Sequence, residues 1–378
     1  MMKGMRSWAE IDLARLERNL RLIRKSIPSN FKYVSVVKAD AYGHGILHTA
    51  SRLMQSGVDL FAVANVKEAN EIREMGSGWP ILVLGPLLEE EDEALIELDI
   101  IPSLSSLDEV RRFQDLSQRK KRKIKVHLKV DTGMGRMGVW WEKSSELFRA
   151  IKSADGIELK GILTHFAEPA HEEFSQLQKD RFQKIIEANL PPSLPSDFMI
   201  HADNSSSLKV LQKNSVFNAV RIGLLQFGVT PPSHSALAHL EVEPVLSFHA
   251  KLALVKDLPA QTSLSYGRLH TLGRDSRIGI ISAGYGDAIP LHCGNQASAL
   301  IRGTSYPIVG RVTMDQTLID LTDAPRDLQN GEVVTLIGEQ KSNKIPLETL
   351  AFHGKTIPWE LLCSITKRVP RIYLTKRE

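Results

Sequence analysis

The sequence predicts an α/β protein: a (β/α)8 TIM-type barrel followed by a second, mostly β domain. Three observations predict it. Eight short apolar runs recur between residues 33 and 228, separated by segments long enough for a helix. After Pro231 and Pro232 the texture changes, and β-like runs follow one another without helical spacers. The polar residues of the first part collect at the ends of its apolar runs, where a barrel keeps its functional face. On this reading residues 12–238 form the barrel and 239–378 the second domain, with residues 1–11 as candidates to join the latter.

The elements follow in order. In LARLERNLRLIRKSIP, Leu13, Leu16, Leu20 and Ile23 fall on one face of an amphipathic helix, and Pro28 stops it. The barrel strands are expected at YVSVVKAD (33–40), LFAVAN (60–65), PILVLG (80–85), IPSLSS (101–106), KVHLKVDTG (125–133), LKGILTHFA (159–167), MIHADNS (199–205) and AVRIGLLQFG (219–228). Between them, VKEANEIREMG and LDEVRRFQDLSQR are helix-patterned. From about residue 240, VEPVLSFHAKLALVKDL, SRIGIISAG, ASALIRGTSYPIVGRV, TLIDLTD and EVVTLIGE read as strands. RGTSYPIVG reads as a hairpin punctuated by Gly, Ser and Pro, and LETLAFHG as the one helix of this part.

Composition narrows the function classes. The chain has 378 residues, 42% of them apolar, which is ample for two cores. A net charge of +4 falls far short of a dedicated nucleic-acid binder. The run RKKRKIK (119–125) reads as a solvated loop, with a polyanion or localisation signal as the alternative. Cys293 and Cys363 make no disulfide framework and share no metal-ligand spacing, so no metal is expected. MMKGMRSWAEIDL has no apolar signal core, and no stretch reaches membrane-spanning length. The expectation is a soluble protein of a reducing compartment, the cytoplasm, with neither a nucleic-acid nor a membrane partner.

The strand ends carry the chemistry. Lys38 closes the first strand, where the period of two places it on one face with Val34 and Val36. Lys129 and Asp131 close the fifth, His165 the sixth, Asn204 and Ser205 the seventh, and Arg221 and Gly223 lie at the eighth. A lysine at a strand end either snorkels to solvent or is kept for its amine. The Ser205 hydroxyl and the backbone N–H groups of RIGLL suit a phosphate, which barrels often bind after strands seven and eight. An amine able to form a Schiff base, a phosphate site and an arginine on one rim together suggest pyridoxal 5′-phosphate bonded to Lys38.

The segments KADAYGHG, LKVDTGMGRMG, THFA, HADNSSSL, VRIGLLQFG, LSYGR, GRVTMDQ and RVPRIY, in this order, resemble the alanine racemase family over essentially the whole chain. The resemblance implies that Lys38 binds the cofactor and acts as one catalytic base. It makes Tyr266, in LSYGR, the second base, approaching the opposite face from the partner subunit of a homodimer. Arg221 would donate to the pyridine nitrogen, with His165 beside the ring. Tyr42, Asn204, Ser205 and the backbone at Gly223 and Leu224 would hold the cofactor and its phosphate. Arg136 and the backbone of Met314 would bind the substrate carboxylate. Lys129 resembles a lysine that some members carbamylate to steady the arginine corresponding to Arg136. The implied reaction interconverts L- and D-alanine and supplies D-alanine for peptidoglycan.

Each residue also has a plainer reading. Tyr266 could be a turn residue before Gly267, His165 a satisfied strand-end histidine, Arg136 a loop cation, Ser205 a helix cap and Asp315 a turn acceptor. Tyr285 resembles an entrance-corridor tyrosine or a packed one. The chain also departs from the family pattern. Trp359 stands where a phosphate-binding tyrosine is usual, and indole can only donate. Gln226 and Phe227 replace an apolar residue and a tyrosine, Ala170 an acid, Leu291 an arginine and Thr313 a cysteine. A serine or broad-specificity racemase is therefore the alternative substrate reading. A barrel-type decarboxylase would carry glutamate in place of Arg221 and a cysteine motif unlike LHCGN. A non-catalytic carrier of the cofactor would lack the β domain.

Overall fold

The computed structural model describes residues 4–202, 204 and 216–375. The chain divides into two compact units. One comprises Leu16–Ala41 and Ile46–Glu243; the other comprises the residues up to Arg15, Tyr42–Gly45 and the residues from Pro244 onward.

Chain order begins with β1 (Ser7–Asp12) and α1 (Leu13–Ser26), whose first turn is capped where Asp12 Oδ1 accepts the Arg15 N–H at 2.9 Å. The first unit is a barrel of parallel strands: β2 (Lys32–Val36), β3 (Leu60–Val63), β4 (Ile81–Val83), β5 (Ile101–Leu104), β6 (Ile124–Asp131), β7 (Ile157–Leu163), β8 (Met199–His201) and β9 (Ala219–Ile222). Adjacent strands pair in sequence order, with Val34 opposite Leu60, Ser103 opposite His127 and Gly161 opposite Met199. β9 returns to β2 with Arg221 opposite Val34, and a parallel bridge between Asn204 and Arg221 links it toward β8. The ring is nearly closed. Strands β3, β4 and β5 are buried at every position because a barrel strand is covered on both faces.

Helices α2 (Ile46–Gln55), α3 (Val66–Glu74), α4 (Asp92–Glu97), α5 (Leu107–Lys120), α6 (Ser144–Ser153) and α7 (Glu172–Asn189) fill the connections. Their starts follow local chemistry. Asn65 accepts the Glu68 N–H at 3.0 Å, and Ser106 with Glu109 forms a capping box that opens α5. α5 buries Val110, Phe113 and Leu116, a stripe at helical spacing. The basic run is a surface feature: Arg119 and Lys120 pair with Glu93, and Arg122 with Asp99.

All eight expected barrel strands form, but they end earlier than their apolar runs. β2 stops at Val36, so Lys38 is not a strand residue sharing a face with Val34 and Val36; it opens a turn. The apolar run extends past the ladder because Val37 is fully buried while its N–H bonds Ala62 O at 2.9 Å.

In the second unit β1 pairs antiparallel with β10 (Leu246–Leu258). Strands β11 (Ser276–Ile281), β12 (Ser298–Ile301), β13 (Thr304–Pro307), β14 (Thr317–Asp320), β15 (Val333–Gln340), β16 (Asn343–Ile345) and β17 (Arg371–Leu374) complete its sheets. β17 lies parallel beside β1. The β12–β13 hairpin turns at Arg302–Gly303, with φ of 51° and 84°, ahead of the Ser and Pro that the sequence suggested as punctuation. Two successive positive φ values match the strand twist of a two-residue loop. Besides α8 (Leu347–His353) there is a second helix, α9 (Pro358–Cys363), with Pro at its first turn. Six residues are too few to show helical periodicity in the sequence. Gly43 and Gly45 belong to this unit, and only glycine fits there. Their φ values are 78° and 88°, and a Cβ would meet Leu362 O at 2.2 Å and the Tyr373 hydroxyl at 1.9 Å, respectively. Cys293 is buried, which pushes its thiol up to about 12, and Cys363 is exposed. No helix among the described residues is long and apolar enough to cross a membrane.

Candidate active site

Lys38 is half-buried at the C-terminal end of β2. The four residues after it, Ala39, Asp40, Ala41 and Tyr42, hold φ of 54°, 54°, 53° and 52°. A left-handed turn of L-residues costs roughly 1–2 kcal/mol per residue, so the surroundings must impose it. The Glu68 carboxylate accepts the N–H of Ala39 at 2.8 Å and of Ala64 at 2.7 Å. Asp40 Oδ1 accepts the Ile46 N–H at 2.7 Å, and Ala41 donates to Val37 O at 2.9 Å. The lysine is thus set on a fixed backbone.

Positive charge converges on this end of the barrel. Burial pushes the Lys129 ammonium down to about 8, and Arg221, Arg136 and Lys38 add to the effect against Asp131. Burial and the same cations, with Arg221 foremost, push His165 down to about 3. Asp131 is committed to shaping the following loop: it accepts the N–H groups of Gly133 (2.9 Å), Met134 (2.8 Å) and Arg136 (3.1 Å). The Arg136 side chain at the end of that loop is exposed.

Arg221 is 4% exposed and heavily used. Its Nη1 donates to His201 O and meets His201 Nδ1, both at 2.9 Å. Its Nη2 donates to Thr164 O (2.8 Å) and Ala202 O (2.7 Å) and meets His165 Nδ1 at 3.1 Å. The tautomers follow from donor logic, since a guanidinium cannot accept. His201 Nδ1 and His165 Nδ1 accept, so both rings carry their proton on Nε2. His201 Nε2–H then donates to His127 Nδ1 at 2.9 Å. His127 is left with a buried Nε2–H that has no partner among the described residues. Burial, followed by the Arg221 charge, pushes His127 down to about 3 and His201 well below the ordinary range. A permanent cation is therefore held among neutral imidazoles. Gly161 makes room for this: a Cβ there would lie 2.8 Å from His127 Cε1 and 2.6 Å from Met199 O.

The barrel unit brings together Lys38, Arg136, His165, Arg221 and Lys129, with Asn204 bridged to Arg221. Gly223 opens the short helix Leu224–Phe227, whose first N–H groups lack intrahelical acceptors by geometry. Tyr42, Tyr266, Met314 and Trp359 belong to the other unit. There Tyr42 is buried, with its carbonyl on His44 Nδ1 at 3.0 Å. Tyr266 is 72% exposed in a turn held by Ser265 Oγ donating to Arg311 O at 2.7 Å. Met314 is exposed, and its carbonyl accepts from the Gly286 N–H (2.9 Å) and Arg368 Nη2 (3.0 Å). Asp315 is a partner of Arg368 at 2.8 Å rather than a bare turn acceptor. Trp359 and Tyr285 are exposed. Ser205 lies outside the described residues.

Sequence reasoning missed His127, His201 and Gln178. His127 stands two residues before Lys129, and the strand period was the signal that could have found it. Gln178 comes from α7. It donates to His165 O at 3.1 Å and Thr132 Oγ1 at 3.2 Å, and accepts the Ala167 N–H at 2.9 Å. No local pattern marks it.

A half-buried lysine, four cationic side chains at one end of the barrel, and the N–H groups at the start of the Leu224–Phe227 turn fit a small phosphorylated aldehyde. The arrangement defines a barrel enzyme of the pyridoxal phosphate class. The model of the alanine racemase N-terminal domain matches residues 11–231, and that of the C-terminal domain matches residues 245–373. Alanine racemase of Halothermothrix orenii is 36% identical over 374 residues, covering 98% of this chain and 97% of its own. Alanine racemase of Methanococcus maripaludis is 35% identical over 370 residues, covering 97% of this chain and 98% of its own. Among solved structures, alanine racemase from Bacillus anthracis with bound L-Ala-P superposes with a TM-score of 0.89 at 30% identity, over 100% of this chain and 97% of that one. Alanine racemase from Bartonella henselae, with covalently bound pyridoxal phosphate, gives 0.86 at 29% identity, over 98% and 99%. This chain belongs to the alanine racemase family, whose members are isomerases that depend on pyridoxal 5′-phosphate.

Proposed function

We propose that this chain interconverts L- and D-alanine by a two-base mechanism, with pyridoxal 5′-phosphate held at the C-terminal end of the barrel. The observation that carries the reading is the buried Arg221 guanidinium, set between neutral imidazoles on the rim that bears Lys38. When bound, the cofactor would supply an electron sink that acidifies the amino-acid Cα–H. Arg221 stays protonated at neutral pH and donates to the ring nitrogen, which keeps that nitrogen from taking a proton of its own. His165 orients Arg221 by accepting from it.

Lys38 holds the cofactor and exchanges the Cα proton on one face. Tyr266 exchanges it on the other, because a single base would tend to return the proton to the side it came from. Tyr266 comes from the partner subunit of a homodimer, a reading supported by its 72% exposure in a turn that also leaves Leu269 60% exposed. Arg136 and the Met314 N–H hold the substrate carboxylate. Gly223, Leu224, Tyr42, Asn204 and Ser205 hold the cofactor and its phosphate, with Trp359 able to add one N–H. Lys129, carbamylated or not, steadies Arg136. The barrel spans residues 12–238 and the β domain 239–378, joined by the N-terminal strand. The enzyme works in the cytoplasm and supplies D-alanine for peptidoglycan.

A serine or broader amino-acid specificity is the second reading, favoured by the 42% exposed indole of Trp359 where the family usually has tyrosine. The test is a panel of L-amino acids with purified holoprotein and chiral analysis of the products. Alanine should racemise fastest; a faster turnover of serine would shift the assignment. Lys38→Ala should lose the visible absorbance of the bound cofactor, and retention of both absorbance and activity refutes the role of Lys38. Tyr266→Phe should sharply lower racemisation with the cofactor still bound, and unchanged turnover would remove the second base.

A further inference from the structure

Gln226 is fully buried in the short helix after Gly223, at a position where the family pattern has an apolar side chain. An uncharged amide in that setting needs partners, and it has them. Its Oε1 accepts from Ser35 Oγ at 2.9 Å and from Tyr33 Oη at 3.2 Å. Its Nε2 donates to Val36 O at 3.1 Å, and its backbone carbonyl accepts from Asn19 Nδ2 at 3.2 Å. The two hydroxyls can only donate to an amide oxygen, and the Val36 carbonyl can only accept, so the orientation of the amide is fixed by its neighbours.

The location gives this amide a task. The β9–β2 ladder ends with Ile222 opposite Ser35. Beyond that pair one strand leads to Gly223 and Leu224 and the other to Lys38. Gln226 reaches back to three positions of β2: the side chains of Tyr33 and Ser35 and the carbonyl of Val36, two residues before Lys38. It continues the connection where the backbone ladder stops.

We infer that Gln226 is a positioning residue whose amide fixes the spacing between the Gly223–Leu224 loop and the strand end bearing Lys38. The inference rests on the proposed function, in which these two segments hold opposite ends of one cofactor. A ligand bonded at one end and hydrogen-bonded at the other is held tightly only if the span between its anchors is constant.

The test uses the full-length protein in three variants. Gln226→Leu leaves two hydroxyls and a carbonyl without partners, so it should lower the thermal midpoint and raise the dissociation constant for pyridoxal 5′-phosphate about tenfold, the size of effect of losing a supporting hydrogen bond at other bound groups. The triple variant Gln226→Leu/Tyr33→Phe/Ser35→Ala removes the stranded hydroxyls. Its midpoint, measured without cofactor, should recover toward wild type while the dissociation constant stays raised. Tyr33→Phe/Ser35→Ala retains the bond to Val36 O and should bind the cofactor within about threefold of wild type, small on the scale where 1.4 kcal/mol is tenfold. Wild-type affinity in Gln226→Leu, or affinity that recovers together with the midpoint in the triple variant, overturns the inference. So does equal weakening in the variant that keeps Gln226. Should the wild-type chain itself bind no cofactor, the proposed function falls and takes this inference with it; a wild-type chain that binds, with variants that match it, sinks the inference alone.

Discussion

Acid should unfold the barrel through its histidines. The perturbation is a shift from pH 7 to pH 5. In the folded chain His127 and His165 are held near 3 and His201 well below its ordinary value, against about 6.5 in the unfolded chain. Between those limits the unfolded state binds more protons, so stability is complete above pH 6.5 and is lost as the pH falls toward 3. Each imidazole costs up to about 1.4 kcal/mol per pH unit, or roughly 2 kcal/mol at pH 5. His127 and His165 together approach ~4 kcal/mol and His201 adds in the same direction, which is a large share of a whole domain's stability. The assay is urea unfolding followed by tryptophan fluorescence, with Trp79, Trp140 and Trp141 as barrel reporters. The midpoint should fall steeply between pH 6.5 and 5, and His127→Gln should remove about a third of the barrel's slope. Equal midpoints at pH 7 and 5, or a slope indifferent to His127, would refute the claim that these rings are buried neutral around Arg221.

Gly161→Ala should destabilise the barrel by about 1–3 kcal/mol in denaturant, because the new methyl collides with Met199 O and the His127 ring. Gly45→Ala should cost more than 1 kcal/mol, and adding Tyr373→Phe should restore only part of it, since removing the hydroxyl clears space but leaves φ at 88°. Arg221→Met leaves the carbonyls of Thr164, His201 and Ala202 short of a donor and should cost on the order of 3–5 kcal/mol. In the same variant Lys129 should titrate above about 8, because Arg221 is the largest charge depressing it; NMR of isotopically methylated lysines reads this directly. Trp359→Tyr should leave the thermal midpoint nearly unchanged, within about 0.5 kcal/mol for an exposed side chain, while altering the ratio of turnover across the amino-acid panel.

Much of this protein is legible along the chain. The alternation of apolar runs with helix-length spacers announces the barrel, and the loss of spacers after Pro232 announces the β domain. Both are local periodicities, and local periodicity survives in one dimension. The strand-end residues Lys38, Lys129, His165 and Arg221 could be picked out because a parallel barrel directs the same end of every strand to one face. Strand ends were overestimated wherever burial outlasts the ladder, as at Val37. The six-residue helix at Pro358–Cys363 was invisible because it is shorter than two helical turns.

What the sequence determined by itself was the order of the barrel strands and which polar residues follow their ends. Only the tertiary structure decided their electrical state. That Arg221 is ringed by neutral imidazoles, that His127 stands behind His201, and that Gln226 reaches back to β2 depend on residues 20, 74 and 190 positions apart, respectively. A proton's preference is set by burial and by the nearest charges in space, and neither quantity is a property of neighbours along the chain.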